Sequence, residues 1–132
     1  MSGFYTSGLD AISDAEIDYL DDTIAVALLD EAYTFNALHS TKSDIDADIL
    51  ATQNLGTKTR SGGVHSAANT VFTSVAGVDT ATGLAIYKST GVSGTSKLIG
   101  YINRRSDTTP FSVETNGDDI TIVWTGGIVY TI

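Results

Sequence analysis

Short apolar runs separated by turn-forming residues dominate the chain from residue 22 onward. Residues 24–29 form a continuous apolar run between Asp22 and Asp30, which is typical of a strand buried on both faces. Further runs with strand character follow at 48–57, 71–76, 84–89, 98–103, 111–115, 120–125 and 128–132. This spacing predicts an all-β fold: a single-domain antiparallel β-sandwich, jelly-roll-like or barrel-like, over residues 1–132.

Two hairpins are expected near the end of the chain. Asn116-Gly117 supplies the positive-φ residues of a tight turn, which should join 111–115 to 120–125. A three-residue loop at 125–127 should join 120–125 to 128–132, because a two-residue loop would mix large residues between the faces. The side chains expected to form much of the core are Trp124, Ile122, Tyr130, Val26, Leu28, Val71, Leu84 and Ile86.

Residues 1–22 depart from the strand pattern and form an acidic N-terminal arm or helical segment. Ser13 and Glu16 have capping-box spacing, which predicts one or two turns of helix between residues 7 and 20. The apolar residues of so short a segment need either the body of this domain or a neighbouring molecule. Both alternatives are open, and the candidate contacts with a partner are Phe4, Tyr5, Leu9 and Ile12.

Charge divides the chain into two unequal parts. Residues 1–50 hold eleven acidic and one basic side chain (−10), residues 51–132 hold five and six (+1), and the sum is the net charge of −9. An acidic chain repels polyanions, so we expect no nucleic-acid partner. No apolar run approaches the ~20 residues that span a bilayer, so we expect no membrane partner.

The residues present do not form a pattern typical of catalysis. His39 and His65 are the side chains that titrate near neutrality, and no nucleophile elbow accompanies them. The absence of cysteine excludes a disulfide scaffold and a cysteine-based zinc site. Arg104-Arg105 is a two-residue basic spot that we expect to pair with an acidic neighbour. We therefore expect a protein that is not an enzyme, with no catalytic or cofactor-binding residues and no cofactor.

One acidic segment has the spacing of a calcium loop. Asp44, Asp46 and Asp48 alternate, but Ile49 and Leu55 occupy the positions where an EF-hand has glycine and glutamate. In a strand the three carboxylates would share one face, while Ile45, Ala47 and Ile49 face inward. We assign no metal-binding residues, and whether this segment binds calcium together with other loops is left open.

The order of strand and turn signatures resembles a widespread group of small structural proteins encoded by tailed bacteriophages. The resemblance covers about residues 5–132 and is weakest over the polar segment 36–48. The segments that carry it are Asp22-Thr-Ile-Ala-Val-Ala-Leu-Leu-Asp30, Gly63-Val64, Val71-Phe-Thr-Ser-Val75, Ala85-Ile-Tyr-Lys-Ser-Thr-Gly91, Lys97-Leu-Ile-Gly-Tyr-Ile102 and Asn116-Gly-Asp-Asp-Ile-Thr-Ile-Val-Trp124.

The resemblance implies a virion structural protein, in particular a capsid decoration (cement) protein on the outside of the phage head. Its partners would then be the major capsid protein and further copies of itself, with a trimer favoured. A tail, neck or baseplate component of the same virion is one alternative. A carbohydrate-binding β-sandwich module, which would use exposed aromatic residues, is another.

Overall fold

The computed structural model of the protein describes residues 3–131. Its strands are β1 Gly3–Phe4, β2 Ile24–Asp30, β3 Ile49–Asn54, β4 Thr59–Ser61, β5 Val64–Ser66, β6 Thr70–Phe72, β7 Thr80–Lys88, β8 Leu98–Ile102, β9 Val113–Glu114, β10 Ile120–Ile122 and β11 Ile128–Thr131. One helix, α1, spans Thr6–Ser13 in this part of the chain, and short 3-10 turns lie at Lys42–Asp44, Asp46–Asp48, Ser93–Thr95 and Thr125–Gly127. All strands pair antiparallel. The prediction of an all-β fold with a short N-terminal helix is confirmed.

The main sheet has the order β1-β8-β7-β2-β3, and β9 pairs with the first residues of β7. Its interior strand β2, between β7 and β3, is buried along residues 24–29, as its unbroken apolar run predicts. Val26 and Leu28 belong to the hydrophobic cluster on one face, whereas Ala25 and Ala27 belong to the cluster on the other. Each face of the sheet therefore has its own core.

Two smaller sheets cover the first face, one formed by β10 and β6 and the other by β11, β5 and β4. Trp124 is buried in this layer, and its indole Nε1 donates a hydrogen bond to Thr70 Oγ1 at 3.1 Å. On the second face, Tyr5, Tyr33 and Ile45 pack against the sheet, which contributes Leu98 of β8 to this core. The polar segment 36–48 thus contributes Ile45 to a core.

Both predicted hairpins are wrong. Gly117 has the expected positive φ of 92°, but the turn joins strands that pair elsewhere: β9 with β7, and β10 with β6. The turn is held from outside, because Gly117 N donates to Val75 O and Ser74 N donates to Asp119 Oδ1. At the end of the chain, β11 pairs with β5 instead of β10.

Several finer predictions need correction. Helix α1 ends at Ser13, so Ser13 and Glu16 do not cap a helix start. Val71 is exposed because Thr70 and Phe72 point inward from β6, and Tyr130 is only half-buried. The other predicted core residues are buried: Trp124, Ile122, Val26, Leu28, Leu84 and Ile86.

Candidate docking surface

The four candidate contact residues of the N-terminal segment differ in accessibility. Tyr5 is fully buried, which excludes it from contact with a partner and corrects its assignment as an anchor. Phe4 is half-buried, and its ring meets that of Tyr130 edge-on at 5.7 Å between centroids. Ile12 is also half-buried, whereas Leu9 is exposed on α1. Of the four, Leu9 is the most accessible to another molecule.

Lysines of the domain body hold the acidic N-terminal segment in place. Lys88 Nζ lies 3.0 Å from Asp22 Oδ2 and donates to the backbone oxygen of Glu16 at 2.7 Å. Lys97 pairs with the Glu16 carboxylate at 3.3 Å, and Lys58 donates to the backbone oxygen of Asp22. A hydrogen bond from the Asp18 amide, with Lys88 nearby, lowers the pKa of Asp22. These contacts favour packing of residues 3–22 on their own domain.

His39 belongs to a hydrogen-bonded chain beside the second core. Tyr5 Oη lies 2.9 Å from Tyr33 Oη, which lies 2.9 Å from His39 Nδ1. Burial is the largest cause that raises the pKa values of Tyr5 and Tyr33, so both phenols remain protonated at neutral pH. Their arrangement ties the N-terminal segment to the 33–39 loop.

His65 is enclosed by aromatic rings in the first core. Its ring stacks on Tyr130 at 4.3 Å and meets Tyr19 edge-on at 4.8 Å. Its Nδ1 lies 2.9 Å from Gly63 O, so the protonated nitrogen donates to that carbonyl. Burial lowers the pKa of His65, which favours the neutral imidazole.

The alternating aspartates lie on two 3-10 turns, so the predicted strand with three carboxylates on one face is wrong. Asp44 Oδ2 accepts hydrogen bonds from the amides of Ser40 (2.8 Å) and Thr41 (3.2 Å), and Asp46 pairs with Lys42 at 2.8 Å. Two of the carboxylates are thus engaged by their own loop. Within residues 3–131, no group of three or more His, Asp or Glu side chains is arranged to hold a metal ion.

A surface groove of about 630 Å³ lies between the 102–113 segment and the 121–129 segment. Val123 and Ile128 are exposed there, at 68% and 43% of their full surface, beside half-buried Phe111. Apolar side chains form most of the lining, and no Asp or Glu side chain contributes to it. The lining residues are Leu84, Ile102, Arg104, Arg105, Ser106, Phe111, Val113, Thr121, Ile122, Val123, Trp124, Thr125, Ile128 and Val129.

The guanidinium groups of the two groove arginines donate hydrogen bonds to backbone carbonyls. Arg104 Nη1 donates to Thr108 O at 3.4 Å, and Arg105 Nη2 donates to Ser112 O at 3.3 Å. Asp107 lies in the same loop, but its carboxylate accepts hydrogen bonds from the amide and hydroxyl of Thr109. The ion pairs in the described part of the chain all involve lysines, so neither arginine forms the ion pair with an acidic neighbour that we predicted. The charge of Arg105 nevertheless contributes to lowering the pKa of Asp107, after the larger effect of the hydrogen bonds from Thr109.

The aromatic side chains do not form an exposed platform. All six tyrosines, four phenylalanines and the single tryptophan are buried or half-buried, and all eleven lie within the described residues. Sugar-binding surfaces commonly stack a ligand on the open face of such a ring. The feature that motivated the carbohydrate-binding alternative is therefore missing from this surface.

Sequence reasoning singled out Arg104-Arg105 as a basic spot but did not place it beside an apolar groove. The signal that could have suggested this is Val123, which alternates with the inward-facing Ile122 and Trp124 and so points away from the core. Val123 lies near Arg104 only because segments that are separated in the sequence pack together.

The geometry defines a small antiparallel β protein with an apolar, arginine-flanked groove. Comparison with family models, with curated proteins and with solved structures finds no match to this chain. Among residues 3–131, no helix has the length and apolar character needed to cross a membrane.

Proposed function

We propose that the protein is a non-enzymatic structural component of a phage virion, specifically a capsid decoration protein on the head surface. The single observation that carries the proposal is the apolar groove flanked by two arginines that form no ion pair within residues 3–131. Exposed apolar surface with a polar rim is characteristic of sites where proteins dock. The assignment to a virion depends, in addition, on the resemblance of the strand and turn signatures to small phage structural proteins.

The architecture suits a decoration role. The main sheet has a core on each face, and the N-terminal segment is held by Lys58, Lys88 and Lys97. A firmly packed domain loses little conformational freedom when it docks, so more of the contact energy appears as affinity. On a shell that carries many copies, weak individual contacts add up through multivalency.

The test is quantitative proteomics and cryo-electron microscopy of virus particles purified from the source that encodes the chain. The proposal predicts many copies per particle and density for this fold on the outside of the head. Density confined to the tail, neck or baseplate would replace the decoration role by the alternative virion role. Absence from purified particles would overturn both.

Binding of the isolated protein to a glycan array gives a separate check. The proposal predicts no glycan binding, since every aromatic side chain is buried or half-buried and none lies fully open on the surface. Specific binding would instead support the carbohydrate-binding alternative.

A further inference from the structure

We infer that the groove of one copy binds the exposed face of helix α1 of a second copy, so that the chain assembles head to tail. The inference rests on the proposed use of the groove as a docking surface and names its occupant. Docking of an amphipathic helix into an apolar groove is a recurring mode of recognition.

The groove requires an occupant with apolar and acidic character. Val123 and Ile128 present apolar surface, and Arg104 and Arg105 place two positive charges beside it. Both guanidinium groups have donors to spare, because each makes one long hydrogen bond to a carbonyl. A carboxylate beside an apolar side chain would satisfy both parts of this surface.

Helix α1 presents that combination. Thr6, Leu9, Asp10 and Ser13 are exposed and lie three or four residues apart, so they share one face of the helix. The opposite face, with Gly8 and Ala11, is buried against the domain. Leu9 is therefore an exposed apolar side chain directly beside a carboxylate.

The acidic residues of α1 lack partners of their own. In residues 3–131, neither Asp10 nor Asp14 makes an ion pair or a side-chain hydrogen bond. Both lie toward the C-terminal end of the helix, where the helix dipole is negative and no basic residue occupies the last turn. Arginines from another molecule would be attracted by the carboxylates and by the helix end together.

This pairing must occur between molecules. The arginines of a given copy contact Thr108 and Ser112, and its Asp10 and Asp14 contact neither arginine. Because groove and helix are different surfaces, the contact is heterologous and produces a closed ring or an open filament. The net charge of −9 opposes association, so the matched opposite charges at the contact are required for it.

The experiment measures the molar mass of the full chain by sedimentation velocity over a range of concentrations. We expect the wild type to form oligomers, R104E/R105E to be monomeric and D10K/D14K to be monomeric. The variant that combines all four changes restores opposite charges with exchanged signs, and it should form oligomers again. Varying the salt concentration is a less informative test than exchanging the charges, because salt weakens both the contact and the overall repulsion between copies.

Two single changes serve as matched controls, each with circular dichroism to verify folding. Arg60→Glu reverses an exposed arginine outside the groove, and Glu31→Lys reverses an exposed acid outside α1. Both should retain the wild-type mass. A wild type that stays monomeric at the highest attainable concentration would overturn the inference, as would a folded R104E/R105E variant that still forms oligomers.

If the variant with all four changes folds but remains monomeric, that result would also overturn the inference. These outcomes are separate from the test on particles. A monomeric protein found in many copies on heads would refute the self-contact and leave the proposed function intact. Charge-dependent oligomers of a protein absent from particles would do the reverse.

Discussion

Replacement of Gly8 by alanine tests how closely helix α1 packs on the sheet. Gly8 is buried in the first turn of α1, and an added Cβ would lie 2.2 Å from the Leu98 carbonyl oxygen and 2.8 Å from Ile99 Cα. Both atoms belong to the backbone of β8 and cannot rotate away. Glycine is therefore required here for close approach of a helix to a strand.

Two opposing effects determine the size of the change. Overpacking costs about 1–3 kcal/mol, and contact with fixed backbone places this site near ~3 kcal/mol. Alanine favours a helix interior over glycine by ~1 kcal/mol. The net loss is then ~2 kcal/mol of unfolding free energy. With an unfolding entropy of ~2.1 cal/mol/K per residue, this corresponds to a decrease of ~7 °C in Tm.

Differential scanning calorimetry of Gly8→Ala measures the change directly, and urea unfolding measures its free energy. Gly56→Ala is the matched control, because a Cβ at Gly56 meets no atom within 4 Å. It should be neutral or stabilising by ~0–1 kcal/mol. If the Tm of Gly8→Ala is unchanged or higher, helix propensity alone would account for the result. That outcome would refute close packing of α1 on β8.

Three further predictions concern the core, the lysine contacts and the titration of His65. Trp124→Ala should cost ~3–5 kcal/mol in urea unfolding, whereas Val123→Ala next to it should stay within ~0.5 kcal/mol; similar losses would contradict the opposite burial of the two side chains. Lys88→Gln should destabilise by ~1 kcal/mol, and Lys97→Gln by less, because the Lys97–Glu16 pair is more exposed; the reverse order in urea unfolding would contradict this. Burial lowers the pKa of His65 below its ordinary 6.5, so the unfolded chain binds the proton more readily. Stability should therefore fall as pH drops below ~6.5, and His65→Phe should flatten this decline; an equally steep decline in the variant would exclude His65 as its source.

Strand β2 was predictable because its local pattern and its final environment agree. A strand with a core on each face needs apolar side chains at every position, and residues 24–29 supply them. The side of the sheet to which each side chain points also follows directly, since successive residues of the strand point into opposite cores. No knowledge of the neighbouring strands is needed for this inference.

The hairpins failed because turn chemistry is local and strand pairing is not. Gly117 adopts the left-handed conformation that the Asn-Gly pair predicts, yet β10 pairs with β6, far earlier in the chain. For a related reason, the prediction of which β6 side chain faces the core was wrong. Thr70 points inward and accepts the Trp124 indole hydrogen bond, so the polar residue is buried and Val71 is exposed.

The groove could not be predicted because its two sides are far apart in sequence. Arg104 lies in a loop after β8, and Val123 directly follows the last residue of β10. The sequence does identify Arg104 as part of a basic pair and Val123 as an apolar residue between two inward-facing ones. Their adjacency follows from the packing of the smaller sheets on the larger one, and only the fold defines it.

The division of charge along the chain acquires a physical meaning from this arrangement. The lysines of the second half hold acidic groups and backbone oxygens of the N-terminal segment, so part of the asymmetry is neutralised within the molecule. Among the charges outside the ion pairs, the Asp10 carboxylate lies on α1 and the Asp14 carboxylate directly follows it, whereas the guanidinium groups of Arg104 and Arg105 lie at the groove. Lysine suffices for a flexible contact within one chain, whereas the planar fork of arginine binds a carboxylate through two parallel hydrogen bonds. The use of arginine at the groove therefore favours a surface that selects a partner over one that only balances charge.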